Sequence, residues 1–262
     1  MSIAIVVLTY NRAHLLRQCC ENVLGRTSPS TTEIVIWDNA STDDTAAYLD
    51  SLTDSRVRVV HHSENIGQNA YAEAFKLTSA PHLVELDDDV IDAPAGWDAT
   101  LLEAFGRLSG VGFLAADLED NPHDIAAQVR HHVRPHLYEP AEENGVRLFY
   151  GPTGGGCAMT SRELYELVGG FPQDSSRSFY LEDAAYIDRI EKRGYRAAVL
   201  RDLRVMHAGG PYYAPFTPEK EAYWAEVERT ERRKNAVKRV LLALPFVRRL
   251  NARFHWFQEP TG

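Results

Sequence analysis

Short apolar runs alternate with helical patterns through the first 90 residues of this chain. The apolar runs cover residues 3–8, 33–37, 57–60 and 82–86. The first run contains no polar side chain, which is typical of a strand buried on both faces of a parallel sheet. Strand–helix alternation of this kind predicts an α/β fold, with a mostly parallel central sheet flanked by helices.

Polar side chains follow the predicted strands at the points where they end. Thr9–Arg12 follow the first strand, Asp38 and Asn39 follow the second, and Asp87–Asp89 follow the fourth. Ligands of open α/β sheets bind beyond the carboxyl ends of the strands. We therefore expect the three segments to converge on one site.

Three consecutive carboxylates, Asp87, Asp88 and Asp89, end the fourth strand. Like charges repel, so such a group is costly to bring together unless a cation lies between its members. Mg²⁺ and Mn²⁺ favour oxygen ligands and commonly bridge carboxylates to phosphate oxygens. A divalent-metal site is expected here, and a solvated acidic loop is the alternative.

The second part of the chain is less regular. Residues 117–147 are polar and rich in His and Pro, and we expect loops or an edge hairpin there. Three consecutive glycines, 154–156, precede a short predicted strand. The remaining predicted elements are strands at 112–116, 157–160 and 203–207, and helices at 161–168 and from 180 onward.

The composition argues against several classes of protein. An apolar share of 44% is typical of a folded domain, and a net charge of −9 argues against nucleic acid as a partner. The three cysteines show no metal-binding spacing, which favours a reducing compartment and hence the cytoplasm. No apolar stretch has the length of a membrane span, so we expect a soluble protein.

Basic residues are concentrated near the end of the chain. The pattern of residues 219–257 predicts a helix up to Pro245, with apolar and aromatic side chains between Lys and Arg. We expect residues 216–262 to form a helical extension that packs on the main domain or on a second copy of the chain. The alternative is peripheral attachment to the inner face of an anionic membrane, which basic and aromatic side chains suit.

The order of the motifs resembles that of family 2 glycosyltransferases, which have the GT-A fold. The motifs are residues 6–12, residues 37–43, Asn65-Ile66-Gly67, residues 86–89, Gly155-Gly156-Cys157, residues 181–183 and His207. The likeness covers roughly residues 1–210. It implies a glycosyltransferase domain at residues 1–215, with a nucleotide-binding half at 1–110 and an acceptor-binding half at 111–215.

The resemblance implies transfer of one sugar, with inversion, from a nucleotide-diphosphate sugar to a hydroxyl. The acceptor class is a glycan, a lipid-linked molecule or a secondary metabolite, and the implied cofactor is Mn²⁺ or Mg²⁺. UDP is the expected nucleotide because Asp38 suits the N–H of uracil. A dTDP-sugar is the alternative, because thymine presents the same N–H. The Gln-X-X-Arg-Trp motif of processive synthases is absent from the sequence, which favours transfer of a single sugar.

The resemblance places the donor nucleotide against residues at the strand ends. It implies that Asp38 binds the nucleobase and that Asp87 faces the ribose. Thr9 and Arg12 are expected to contact the donor nearby. Without the resemblance, Asp38 is also typical of a turn, and Arg12 of a solvated helix start. The full expected set is Thr9, Tyr10, Arg12, Asp38, Asn65, Gly67, Asp87 and Asp88.

Two further sets carry the chemistry that the resemblance implies. Asp89 and His207 are the expected metal contacts, although a lone His after a strand is more often structural. Asp183 is the expected general base, which takes the proton of the acceptor hydroxyl, and Glu182 positions the acceptor or the base. Acidic residues are also favoured at a helix start by the helix dipole, so a structural role is the alternative.

The donor or acceptor sugar is expected to contact Gly154, Gly155, Gly156 and Trp97. Missing side chains let a ligand approach the backbone closely, whereas a flexible loop is the structural alternative for the glycines. The chain departs from many relatives after Gly67, where residues 71–73 are Tyr, Ala and Glu rather than part of an Ala-Arg-Asn unit. A cationic contact to the donor is therefore missing or supplied elsewhere.

Two other functions suit a nucleotide-binding α/β sheet with clustered carboxylates. A sugar-phosphate nucleotidyltransferase would use both, but such enzymes usually carry a Gly-rich loop with Arg or Lys after the first strand, which residues 9–12 do not resemble. A catalytically inactive carbohydrate-binding relative would have no chemical need for Asp87, Asp89 and Asp183 together.

Overall fold

The computed structural model describes residues 2–119, 137–173 and 182–208, and a few isolated positions further on. The chain separates into two compact units, Met1–Ala214 and Pro215–Gly262. Nearly all of the second unit lies outside the described residues, and so do the predicted helical extension and its membrane or subunit contact. Of the polar segment, residues 120–136 also lie outside them.

Strands and helices alternate through residue 87, as the apolar runs predict. The strands are β1 (Ile3–Thr9), β2 (Thr31–Asp38), β3 (Val57–His61), β4 (His82–Asp87), β5 (Val90–Asp92), β6 (Val111–Glu119), β7 (Glu139–Glu143), β8 (Val146–Tyr150), β9 (Cys157–Ser161) and β10 (Arg196–His207). The helices are α1 (Ala13–Asn22), α2 (Thr45–Asp50), α3 (Asn69–Phe75), α4 (Trp97–Arg107), α5 (Arg162–Leu167) and α6 (Glu182–Glu191). Within the part of the chain that the structure describes, no helix is both long enough and apolar enough to cross a bilayer.

The described strands form one sheet in the order β3-β2-β1-β4-β9-β6-β10-β8-β7, with β5 paired to β10. From β3 to β4 the neighbouring strands are parallel. Their register places Thr9 beside Asp38, and Leu8 beside Asp87. The polar residues that end β1, β2 and β4 therefore lie at one edge of the sheet.

The second half of the sheet is mixed. β9 runs antiparallel between β4 and β6, and β10 is parallel to β6 but antiparallel to β8 and β5. β7 and β8 form a hairpin at the edge, which begins within the segment where a hairpin was one of two expectations and ends beyond it at Tyr150. β10 begins at Arg196, earlier than the predicted start at residue 203. Its first part was not predicted because an irregular register between Leu200 and Arg204 interrupts the alternation of the strand.

Neither β5 nor α4 is among the elements predicted above. β5 has only three residues, which is too short to show an alternating pattern. α4 buries Trp97, Leu101 and Leu102, and the spacing of four between the first two is that of an amphipathic helix. The signal for α4 was therefore present in the sequence.

Trp97 is a core residue. Its side chain is fully buried, and its indole Nε1 donates to the carbonyl of Val23 at 3.0 Å. A ring that is enclosed by the core offers no face to a ligand. The expectation that Trp97 contacts the donor or acceptor sugar is therefore wrong.

Candidate active site

The turns that follow β1 and β2 are bound to each other. The backbone N–H of Asn39 donates to the carbonyl of Thr9 at 2.9 Å, and the N–H of Asn11 donates to Ser41 Oγ at 2.9 Å. Asn11 Oδ1 accepts from the N–H of Thr42 at 2.7 Å. Asn11 itself has a φ of 53°, a conformation that Asn adopts more readily than most residues. These contacts hold the turns after β1 and β2 together at the ends of the two strands. Tyr10, in the first of these turns, is half-buried.

Asp38 is buried at the end of β2, and both of its carboxylate oxygens have partners. Oδ1 accepts from the N–H of Ser41 at 2.9 Å, and Oδ2 lies 3.0 Å from His61 Nδ1. The other ring nitrogen of His61, Nε2, lies 3.1 Å from Asp50 Oδ1. The hydrogen bond to Asp38 raises the pKa of His61, and Asp50 adds to that effect. His61 was not predicted to belong to the site, since a strand-end His carries no signal of its own.

Asn39 organises the turn at Asn65–Gly67. Its Oδ1 accepts from the N–H of Ile66 at 2.9 Å, and its Nδ2 donates to Asn65 Oδ1 at 2.8 Å. The same oxygen of Asn65 accepts from the N–H of Gly67 at 2.8 Å, and Gly67 has a φ of 60°. The predicted nucleotide residues Asn65 and Gly67 thus shape a turn against β2. Asn39 adjoins Asp38 at a strand end, so its position was a usable signal.

Arg12 lies against the carboxylate run rather than free in solvent. Its Nη1 donates to Asp88 Oδ1 at 2.9 Å and lies 3.3 Å from Asp89 Oδ2. Burial raises the pKa of Asp88 to about 6, against the lowering effect of Arg12. The run therefore has one built-in cation, which offsets part of its mutual repulsion.

Asp87, Asp89 and His207 form a group that could hold a metal ion. Each offers one ligand atom, and these atoms lie within 4.8 Å of one another. His207 Nε2 lies 3.0 Å from Asp89 Oδ1 and 3.5 Å from Asp87 Oδ2. Two carboxylates with one imidazole suit Mn²⁺ or Mg²⁺. Asp87 is 37% exposed whereas Asp89 is 5% exposed, so a ligand can reach the group from the side of Asp87.

Neighbouring groups orient the possible metal ligands. The hydroxyl of Tyr71 donates to Asp87 Oδ1 at 3.1 Å, and the N–H of Ala208 donates to the carbonyl of Asp89 at 2.7 Å. His207 is opposite Val90 in the β10–β5 pairing, which brings the end of β10 to the carboxylate run. Tyr71 is therefore a further site residue, and it occupies the helix where the sequence departs from the family pattern.

Asp183 contacts the glycine segment. Its Oδ2 accepts from the N–H of Gly155 at 2.9 Å, and its Oδ1 accepts from the N–H of Ala184 at 2.6 Å. Burial raises the pKa of Asp183 despite these backbone hydrogen bonds, and Asp87 contributes in the same direction. Glu182 begins α6, and its side chain lies outside the described residues.

Close packing explains why two of the three glycines have no side chain. A Cβ on Gly156 would lie 3.3 Å from Asp87 Oδ2 and 3.6 Å from His207 Cδ2. A Cβ on Gly155 would lie 2.3 Å from the buried Glu85 carboxylate. A Cβ on Gly154 would lie 3.6 Å from Asp183 Oδ2, which is ordinary contact. The segment thus lies next to the possible metal group at Gly156 and next to Asp183 at Gly154 and Gly155.

A family comparison agrees with this geometry. Residues 4–169 match the model described as glycosyl transferase family 2. The chain belongs to this family. The matched residues of this family 2 chain include Asp38, the carboxylate run and the glycine segment, whereas Asp183 and His207 lie beyond them.

A curated protein that the family 2 chain matches is much longer. It is the uncharacterised protein y4gI from Sinorhizobium fredii, which is 25% identical over 210 residues. The aligned residues are 74% of this chain and 23% of that protein, so the chain spans about a quarter of the length of its relative.

Solved glycosyltransferase structures share the fold of this family 2 chain. The mannosyltransferase PcManGT from Pyrobaculum calidifontis, in complex with GDP-Man and Mn²⁺, has a TM-score of 0.58 at 23% identity, over 80% of this chain and 57% of that one. GalNAc-T7 with UDP, GalNAc and Mn²⁺ has a TM-score of 0.58 at 15% identity, over 83% and 46%. TarS from S. aureus has a TM-score of 0.60 at 15% identity, over 79% and 36%. The prediction of a GT-A fold is confirmed.

Proposed function

We propose that this chain is a metal-dependent, inverting glycosyltransferase that moves one sugar from a nucleotide-diphosphate sugar to an acceptor hydroxyl. The observation that carries the proposal is that the glycine segment adjoins both the group of Asp87, Asp89 and His207, at Gly156, and Asp183, at Gly155. A metal-bound diphosphate and a base must flank the sugar if a hydroxyl is to attack from the face opposite the leaving group.

The first step of the argument concerns the leaving group. Mn²⁺ or Mg²⁺ held by Asp87, Asp89 and His207 would neutralise the charge that develops on the diphosphate. Arg12 holds Asp88 and Asp89 through ion pairs, and Tyr71 holds Asp87 through its hydroxyl. The protein therefore keeps the carboxylates in place and does not need the donor to order them.

The second step concerns the base. Asp183 can take the proton of the acceptor hydroxyl, and its two backbone hydrogen bonds set the direction of its carboxylate. Because burial raises its pKa, the ionised group is a stronger proton acceptor than a solvated Asp. Glu182, next in the chain, is proposed to position the acceptor or the base.

The third step concerns the nucleotide. We assign the base-reading role to Asp38, whose buried carboxylate can accept the N–H of a pyrimidine ring. Thr9 ends β1 beside Asp38, and Tyr10 and Arg12 follow it in the chain. Asn65 and Gly67 contribute through the turn that Asn39 organises. UDP is the proposed nucleotide and dTDP the alternative. GalNAc-T7, with the same fold, was solved with UDP and Mn²⁺.

The acceptor and the cellular setting are proposed more broadly. The acceptor is a hydroxyl of a glycan, a lipid-linked molecule or a secondary metabolite, which the half of the domain at 111–215 would bind. We propose that the protein acts in the cytoplasm, with residues 216–262 packing on the domain, on a second copy or on the inner face of a membrane.

A calorimetric titration tests the proposal. UDP, dTDP and GDP are titrated with Mn²⁺ and with EDTA into the wild type, Asp87→Asn and Asp92→Asn. Asp92 is a matched control, because it is an exposed Asp at the end of β5 that pairs only with an exposed Arg26 in the described part of the chain. We expect one nucleotide to bind to the wild type in the presence of Mn²⁺ but not of EDTA. Its Kd should be at least about 10-fold higher for Asp87→Asn and unchanged for Asp92→Asn. No binding of any nucleotide by the wild type would contradict the proposal and favour an inactive relative.

A further inference from the structure

Both ring nitrogens of His61 face carboxylate oxygens. Nδ1 lies 3.0 Å from Asp38 Oδ2, and Nε2 lies 3.1 Å from Asp50 Oδ1. A neutral imidazole carries one N–H, so one of these contacts would place a lone pair against a carboxylate oxygen. Only the protonated ring makes both contacts hydrogen bonds. The geometry therefore selects the imidazolium form.

The surroundings of His61 favour the same form. β3, which His61 ends, packs against β2 and α2, and each of them presents one carboxylate to the ring. The side chain of Asp38 is 4% exposed and that of Asp50 is 74% exposed, so the contact with Asp38 is far less screened by water. The pKa of His61 is accordingly raised, with Asp38 as the first cause.

We propose that His61 is a positioning residue for nucleobase recognition, acting through Asp38. The ring holds Oδ2 of that carboxylate while the N–H of Ser41 holds Oδ1, so the plane of the carboxylate is fixed before a ligand arrives. The lone pairs of the Asp38 carboxylate that stay unused can then accept a ring N–H from the nucleobase. Uracil, thymine and guanine carry such an N–H, whereas cytosine lacks it. This inference rests on the proposed function of the site.

The sign of the pH dependence follows from the geometry. As the pH rises through the raised pKa of His61, the ring loses a proton and one of its two contacts becomes repulsive. A positive charge is lost at the same time, close to a site that takes an anionic ligand. Both effects weaken nucleotide binding, so we expect the affinity to fall with rising pH.

The test measures the Kd of UDP with Mn²⁺ by calorimetry between about pH 6 and about pH 8.5, the range in which His titrates. dTDP or GDP replaces UDP if the preceding titration selects it. His61→Asn keeps an N–H donor near the position of Nδ1 but cannot titrate, and His61→Leu has no donor. The neighbouring His62→Asn is the matched control, because His62 contacts the backbone of Glu64 and stacks on Trp37.

We expect the affinity of the wild type and of His62→Asn to fall severalfold across the range, and that of His61→Asn to change less. His61→Leu should bind about 10-fold more weakly at the low end, because a hydrogen bond between charged groups is lost. The ratio of the Kd of each variant to the Kd of the wild type at the same pH removes the contribution of the titration of the nucleotide itself. Asp50→Asn should lower the midpoint of the pH dependence, because it removes one of the two charges that stabilise the imidazolium.

Two results would separate failure of the inference from failure of the proposed function. If the wild type and His61→Asn share one pH dependence, or if His61→Leu binds as tightly as the wild type, His61 does not position Asp38. If the wild type binds no nucleotide with metal, the proposed function itself fails.

Discussion

The two halves of the sheet contribute to the site in different ways. On the side of β1, β2 and β4, parallel register alone brings Thr9, Asp38 and Asp87 to one edge. On the other side, Asp183 is held by the N–H of Gly155, and His207 is placed by the pairing of β10 with β5. Parallel pairing therefore brings together the polar residues of the first half, whereas a loop contact and an antiparallel pair bring in those of the second.

This difference predicts different consequences for substitutions in the two halves. Residues of the first half hold one another through hydrogen bonds between adjacent turns, as at Asn11 and Asn39. Residues of the second half meet at the glycine segment, where the backbone approaches both Asp183 and Glu85. We expect changes in the second half to affect turnover and metal affinity. Changes in the turns after β1 and β2 should affect nucleotide affinity, whereas Asp87 and Asp89 of the first half share the possible metal site with His207.

The largest effect is expected at Asp183. Asp183→Asn should retain donor binding but lower turnover by a factor of about 10² or more, because the amide cannot accept the acceptor's proton. The measurement is single-turnover transfer at saturating donor. Asp188→Asn, on the same helix and paired with Lys192 at the surface, is the control and should have a normal rate. A near-normal rate in Asp183→Asn would remove this residue from the role of base and leave the second half without its proposed chemistry.

A smaller effect is expected at His207. His207→Asn should weaken Mn²⁺ binding at least about 10-fold, because one of three ligand groups is lost. Mn²⁺ affinity is measured by electron paramagnetic resonance with the donor nucleotide present. His82→Asn serves as the control, since His82 begins β4 and therefore lies at the end of the strand away from the candidate site. Equal Mn²⁺ affinity in the wild type and His207→Asn would mean that the first half holds the ion alone.

The last effect, on stability rather than on activity, is expected at Gly155. Gly155→Ala should lower the free energy of unfolding by about 1–3 kcal/mol, because the new Cβ would overlap the Glu85 carboxylate in the core. Gly154→Ala is the matched control, since its Cβ would meet only ordinary contact. Thermal unfolding followed by circular dichroism measures both variants. If the two lose the same stability, the glycine segment is not held by close packing, and the contrast between the halves weakens.

The first half of the fold was predictable because its signals are local. The runs at β1 to β4 are continuous and each ends in polar residues, so the sheet edge could be inferred without tertiary information. β10 was harder, since its register is irregular between Leu200 and Arg204 and the adjacent charged residues Arg201 and Asp202 interrupt the apolar pattern. β5 is too short to show any period.

The sequence indicated many of the residues that meet in the candidate site, but not His61 or Tyr71, and not the contacts. It predicted metal contacts at Asp89 and His207 and a ribose contact at Asp87, whereas the structure brings ligand atoms of all three within 4.8 Å of one another. Their role as ligands stays a prediction. The partners of Arg12 and the side chains that hold Asp38 could not be inferred. A sequence places such residues on elements, whereas pairing between elements decides which side chains they meet. Trp97 illustrates the same limit, because an aromatic residue near a site and one in the core have the same local pattern.

Glu85 has a consequence for how the chain reaches this fold. β4 lies between β1 and β9, and β9 is synthesised long after β1 to β4 are complete. In that interval β4 is an edge strand, which is a template for aggregation with other nascent chains. A carboxylate in the middle of β4 opposes such pairing, because burying its charge against a foreign strand is unfavourable. The residue that packs beneath Gly155 in the finished enzyme therefore also protects the unfinished one.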